Sequence, residues 1–203
     1  MDQLIVFCKA PRVGFVKSRL AATVGAETAC RYYDQMVAKL LDHLQGIEGV
    51  TLAVTPDDAM GEVSRWKRRP SWKVAGQGSG DLGHRLEQAF GRAFDAGTER
   101  VVVIGADAPE VTEADVREAF LALRRDDLVI GPAEDGGYWL IGMSQPQPDL
   151  FRNQEWGTDQ VCAETLRRAR SRAMLVSCLR LLSDIDTEED WKRYCARTRR
   201  SSS

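Results

Sequence analysis

Short apolar runs that alternate with segments of helical period narrow most sharply what this chain can fold into. Leu4 to Cys8, Val50 to Thr55, Trp72 to Ala75, Val101 to Gly105, Leu128 to Ile130, Tyr138 to Met143 and Ala173 to Ser177 read as strands. Between them lie stretches whose apolar residues recur at three and four. Ala29, Cys30, Tyr33, Met36, Val37, Leu40, Leu41 and Leu44 mark one long helix. Leu86, Ala89, Phe90, Ala93 and Phe94 mark a second, and Val116, Ala119, Phe120 and Leu123 a third. Asp57 to Lys67, Asp159 to Ala169 and Thr187 onward complete the helices. Thr112 to Asp115 has capping-box spacing ahead of the third. Parallel strands need long crossovers, so this alternation predicts an α/β fold: a mostly parallel central sheet with helices on both faces. Val101 to Gly105, apolar on both faces, should be the central strand.

At 203 residues the chain can bury one sizeable core, predicting a single domain over 1–196 with a disordered basic tail at 197–203. Its 28 basic and 30 acidic side chains nearly cancel, so no global field favours nucleic acid, and a bound phosphate must meet a local site. No run of about 18 apolar residues would insert in a membrane. Five cysteines without Cys-x-x-Cys spacing fit neither a disulfide framework nor a zinc ribbon, which with the absence of a leader pattern suggests a cytoplasmic protein.

Ligands of such sheets bind beyond the carboxyl ends of the strands, which directs attention to four loops. The first places Lys9, Arg12, Lys17 and Arg19 within eleven positions, with Gly14 between them, and is either a phosphate-binding segment or a solvated basic loop. In the second, Gly78, Gly80 and Gly83 satisfy G-x-G-x-x-G. The preceding strand is short and half polar, so a dinucleotide fingerprint, a phosphate loop and a plain surface turn all remain open. The third carries Asp107 directly off the central strand, as a magnesium ligand or as an Asx turn before Pro109. The fourth, Gly131-Pro-Ala-Glu-Asp-Gly-Gly-Tyr138, offers Glu134 or Asp135 as a second ligand or a base. It equally suits a hairpin turn. Tyr138 and Trp139 after it are core residues or stacking surfaces. His43 and His84 share no metal spacing, and no G-x-S-x-G occurs, which disfavours zinc and triad chemistry.

Six segments in order, Lys9-Ala-Pro-x-x-Gly-x-Val-Lys-Ser-Arg-Leu20, Gly80-Asp-Leu-Gly-x-Arg85, Gly105-x-Asp-x-Pro109, Gly131 to Tyr138, Trp156-x-Thr158 and Asp184-Ile-Asp-Thr187, resemble an uncharacterised bacterial family described as glycosyltransferase-A-like, a group of nucleotide-diphospho-sugar transferases. The same segments resemble two nucleotidyltransferases of related fold, molybdenum-cofactor guanylyltransferase and phospholactate guanylyltransferase. Two departures stand out: Phe7 to Pro11 replaces the Leu-Ala-Gly-Gly opening of the former, and a single acid at Asp107 replaces the transferases' Asp-x-Asp.

The resemblance implies the glycosyltransferase-A fold, with Asp107 holding Mg²⁺ or Mn²⁺ against a diphosphate, helped by Asp135, and with Asp135 or Glu134 as the catalytic carboxylate. Lys9, Pro11, Gly14, Lys17 and Arg19 would bind the phosphates, and Gly80, Asp81, Gly83 and Arg85 the nucleotide. Tyr138, Trp156 and Thr158 would line an acceptor pocket, while Thr158 also suits an N-cap. Asp184 and Asp186 read chiefly as structural. The expected function is metal-dependent glycosyl transfer from a nucleotide-diphospho-sugar to a small-molecule acceptor. The alternatives are nucleotidyl transfer from a nucleoside triphosphate with release of pyrophosphate, and dinucleotide or non-catalytic nucleotide binding.

Overall fold

The structure, a computed structural model, describes residues 1–200, with side chains through Arg197. Strand β1 (Asp2–Lys9) alternates its burial: Leu4, Val6 and Cys8 enter one apolar layer, and Ile5 enters the other with Phe7 packed against it. The remaining strands are β2 (Val50–Thr55), β3 (Lys73–Gly76), β4 (Arg100–Gly105), β5 (Leu128–Pro132), β6 (Tyr138–Met143) and β7 (Val176–Cys178). They form one seven-stranded sheet in the order β3-β2-β1-β4-β6-β5-β7, in which β6 alone runs antiparallel to its neighbours. β4 is the middle strand, as its two-sided apolar sequence requires. Val102 and Ile104 face one layer, Val101 and Val103 the other.

Helices cover both faces. α2 (Ala26–His43) and α5 (Glu113–Ala122) pack on the first layer through Met36, Leu40, Val116 and Ala119, and α7 (Glu188–Arg200) joins them through Tyr194. α4 (Leu82–Asp95) and α6 (Val161–Ser171) cover the second through Leu86, Phe90 and Ala169. The predicted cap of α5 forms in full: Thr112 accepts from the Asp115 amide, and the Asp115 carboxylate accepts from Thr112. Arg180 grips the same carboxylate at 2.6 and 2.7 Å, tying β7's exit to α5. No helix among the described residues is long and apolar enough to cross a membrane.

Four segments differ from expectation. The basic stretch after β1 contains a helix, α1 (Ser18–Val24), whose single buried residue, Leu20, leaves no periodic stripe to read. Asp57 to Lys67 is not one helix; two 3-10 turns flank a single α-turn, α3 (Met60–Val63), with Gly61 inside it. β7 begins three residues later than predicted because Ala173, at φ 54°, closes α6 in a left-handed turn and Met174 N–H returns to the Ala169 carbonyl. α7 continues through Arg200, so 197–200, expected as tail, is helical; 201–203 lie outside the described residues.

β6 crosses the middle of the sheet with Gly142 facing Val102, Val129 and Leu123. A Cβ there would approach Val129 to 2.7 Å and Val102 to 2.9 Å. Gly142→Ala is therefore expected to destabilise the protein by about 1–3 kcal/mol through overpacking. Thermal unfolding would check it, and an unchanged Tm would contradict the close packing of this layer.

Candidate active site

Because β6 runs opposite to β4, Tyr138 at its start lies at the same sheet edge as Gly105 at the end of β4. All four loops singled out from the sequence meet at that edge, around a cleft of about 690 Å³, a volume suited to a nucleotide-sized ligand.

The loop after β1 delivers Lys17 in a left-handed conformation at the start of α1. Its side chain is only 4% exposed, and Nζ lies 2.5 Å from Asp107 Oδ1 and 2.9 Å from Asp186 Oδ1. Burial opposes the ammonium, yet the two carboxylates outweigh it and its pKa rises above the usual lysine value. Lys9 and Arg19 line the cleft, and Arg19 Nη1 reaches 3.8 Å from Asp186 Oδ2. The other members of this segment do not join them. Arg12 turns outward to Glu62 and Asp58, the Pro11 carbonyl accepts from Cys30 Sγ, and Gly14 supplies a positive-φ turn in an exposed loop.

Behind the second loop, buried Gln77 donates from Nε2 to the carbonyls of Cys8 and Ala53 at 3.0 and 2.9 Å, pinning the ends of β1 and β2 together. Gly80, Asp81 and Arg85 line the cleft. Asp81 also caps α4 by accepting from His84 N–H, and Arg85 Nε donates to the Gly80 carbonyl. Gly83 does not face the cleft: a Cβ there would meet the Phe151 carbonyl and Trp156 at 2.7 Å, so it is a packing glycine. The G-x-G-x-x-G pattern follows β3, an edge strand, whereas dinucleotide folds place theirs after the strand at the topological switch point. This geometry disfavours the dinucleotide reading.

Asp107 leaves β4 as expected, and its carbonyl accepts from Ile185 N–H at 3.0 Å. That bond accounts for two acids the sequence reading treated as structural. Ile185 is 3% exposed and plugs the core, and the aspartates on either side of it, Asp184 and Asp186, line the cleft beside Asp107. The signal was the Asp-Ile-Asp alternation itself, whose partner strand end could not be known from one sequence. Burial first, then the charges of Asp107 and Asp135, pushes the Asp184 carboxyl up to about 7.

In the fourth loop the hairpin reading and the site reading both hold. β5 and β6 form an antiparallel hairpin, and Asp135 at its tip accepts from Gly137 N–H while lining the cleft. Glu134 does not line it; its amide bonds to the Leu182 carbonyl and its side chain is exposed. Tyr138 and Trp156 meet edge to face with centroids 6.5 Å apart, and both line the cleft. The Tyr138 hydroxyl is buried and has no hydrogen-bond partner among the described residues. Thr158 lines the cleft too. It is not an N-cap: its hydroxyl donates to the Glu155 carbonyl, and α6 starts after Gln160.

Six aspartates therefore border one cleft, and four of them, Asp107, Asp135, Asp184 and Asp186, interact electrostatically with one another. Hard oxygen donors of this kind suit Mg²⁺ or Mn²⁺, and a dication would offset the charges of Asp107 and Asp135 that add to burial in raising the Asp184 pKa. Among the described residues no three acids are already gathered into a coordination set.

Residues 40–158 match the family described as "Uncharacterized protein conserved in bacteria (DUF2064)", more than half of the chain. The chain belongs to the DUF2064 family. A crystal structure from Desulfovibrio desulfuricans G20, of a protein named as a nucleotide-diphospho-sugar transferase, superposes on this DUF2064 chain with a TM-score of 0.85 at 34% identity, covering 92% of this chain and 82% of its own. A 3-phospho-D-glycerate guanylyltransferase of Phenylobacterium zucineum is 31% identical, over 86% of this chain and 81% of its own. A phosphoenolpyruvate guanylyltransferase of Chloroflexus aggregans is 26% identical, over 93% and 95%. The glycosyltransferase-A-like fold inferred from the motifs is thus the fold of the chain.

The Asp184 shift has a stability consequence. Its folded pKa of about 7 exceeds the ordinary 3.8, so between those values the folded state holds a proton that the unfolded state releases, and stability falls as pH rises through that window. Without metal, Asp184→Asn should raise Tm at about pH 8 and have little effect near pH 4. A variant that melts no higher than the parent at the upper pH would show that Asp184 carries no such burden.

Proposed function

We propose that this DUF2064 protein is a nucleotide-utilising transferase that moves a nucleotidyl group from a nucleoside triphosphate to a phosphorylated small molecule and releases pyrophosphate. The observation that carries the reading is the set of carboxylates, Asp107, Asp135, Asp184 and Asp186, lining one nucleotide-sized cleft together with the cations Lys9, Arg19 and Arg85. Guanylyl transfer is the activity named for both curated relatives, and each match spans most of the two chains.

Asp107, with Asp135, Asp184 and Asp186 around it, would hold Mg²⁺ or Mn²⁺. When bound, such an ion neutralises triphosphate charge and makes pyrophosphate a better leaving group. The chain's own groups supply the rest. Lys17 keeps the Asp107 and Asp186 carboxylates together, which two like charges would otherwise resist. Lys9 and Arg19 bind phosphate oxygens, while Arg85 and the Gly80–Asp81 backbone orient the nucleotide. A phosphate oxygen of the acceptor attacks the α-phosphorus and the bond to the bridging β-oxygen breaks. The new diphosphate bond and pyrophosphate balance the reaction, with no proton required from a dianionic acceptor.

Glycosyl transfer is the second reading, favoured by the name carried by the Desulfovibrio protein at 34% identity. The products separate the two: nucleotidyl transfer releases pyrophosphate, glycosyl transfer a nucleoside diphosphate.

Asp107→Asn is expected to lower turnover by about a hundredfold or more while the fold persists. Pyrophosphate release with each of the four nucleoside triphosphates, over a panel of phosphomonoesters, is the measurement. Full activity in the variant would remove Asp107 from the chemistry, and nucleoside diphosphate as the product would move the protein to the second reading.

A further inference from the structure

The cations that line the cleft all come from one part of the sheet. Lys9 and Arg19 follow β1 and Arg85 follows β3, with Gln77 and Asp81 beside them and Asp186 3.8 Å from Arg19. The segments from the β5–β6 hairpin to the start of α6 contribute Asp135, Tyr138, Trp156, Thr158 and Asp159, with Trp156 packed against Gly83, and no lysine or arginine of these segments lines the cleft among the described residues. Trp156 and Tyr138 present an apolar corner there, with Asp135 and the exposed Asp159 at its edge. Gly136 lets the hairpin press against the backbone of Asp159, and Cys162 N–H donates to the Gly136 carbonyl at 2.9 Å, so this wall is built by packing rather than by a free loop.

A triphosphate is drawn to the cleft-lining cations, which leaves the aromatic and acidic segments to the acceptor. From this distribution of charge, and resting on the nucleotidyl-transfer reading, we infer that the acceptor is a phosphomonoester whose remainder is uncharged and hydroxyl-bearing, in contrast to the carboxylated acceptors named for the two guanylyltransferase relatives. A carboxylate entering there would give up water, find no cation of these segments to pair with, and sit beside Asp135 and Asp159. Hydroxyl groups meet neither penalty, and the carbon-bound faces of a polyol or sugar ring can pack on Trp156 and Tyr138.

Two matched pairs isolate the charge: glycerol 3-phosphate against 3-phosphoglycerate, and glucose 1-phosphate against glucuronic acid 1-phosphate. Within each pair a CH₂OH group is replaced by a carboxylate. Equilibrium binding to the full chain, with Mg²⁺ and each of four α,β-methylene nucleoside triphosphates, should favour the member without the carboxylate in at least one pair by about tenfold or more. Asp159→Lys, at an exposed position, should erase or reverse that preference. Equal or tighter binding of the carboxylated members overturns the inference, as does binding of none of the four, or a preference unchanged in Asp159→Lys. Pyrophosphate release from the hydrolysable nucleotides, measured in parallel, reports on the nucleotidyl-transfer reading separately. The binding preference can fail while pyrophosphate is released, and it can hold where none is.

Discussion

One buried ammonium, that of Lys17, joins carboxylates from distant parts of the chain at the open edge of the sheet. Asp107 comes off the central strand and Asp186 from the segment before the last helix, and like charges so close would separate without a cation between them. Lys17 is held there by its position at the start of α1, with Leu20 of the same short helix buried in the core. The local geometry of these carboxylates thus rests on one ammonium that pairs with both of them at the sheet edge. A buried charge with one partner removed is costly, which ties the loop after β1 to the fold as firmly as to the site.

The sheet order explains why the parts meet. Six strands ending at one edge deliver their loops to one place, and the reversed β6 brings Tyr138 to that edge from the other direction. Lys9 ends β1 and Asp107 lies two residues past the end of the adjacent β4, and the two strands are paired in register from Asp2 with Arg100 to Phe7 with Gly105. The cleft-lining cations come from the segments after β1 and β3, whereas the β5–β6 hairpin and the segment before α6 contribute aromatic and acidic groups.

Much of the candidate cleft was legible because strand ends are legible. Asp107 is the first acid past the most apolar strand, Asp135 an acid in a glycine-rich connection, and Lys17 and Arg19 stand out by their density of charge. Placement was not legible where it depends on what lies opposite a residue. Gly83 looked like part of a phosphate loop, yet its missing Cβ makes room for Trp156 and Phe151. Glu134 and Asp135 are neighbours in sequence but only Asp135 lines the cleft, a choice made by the backbone bond from Glu134 to Leu182. Arg12 was grouped with the site cations, while Glu62, fifty positions away, turns it outward.

The sequence by itself determined the elements, their sidedness and the central place of β4, because periods of 2 and 3.6 and the chemistry of caps act over a few residues. Motif order determined the family and hence the fold. Tertiary structure alone decided that Asp184 and Asp186 belong to the cleft, that Lys17 is buried between two acids, and that the cleft-lining cations come only from the segments after β1 and β3. Those facts depend on a carbonyl of residue 107 meeting an amide of residue 185 and on which strands lie side by side. Contacts between residues so far apart along the chain leave no local pattern, since it is the closure of the whole sheet that makes them neighbours.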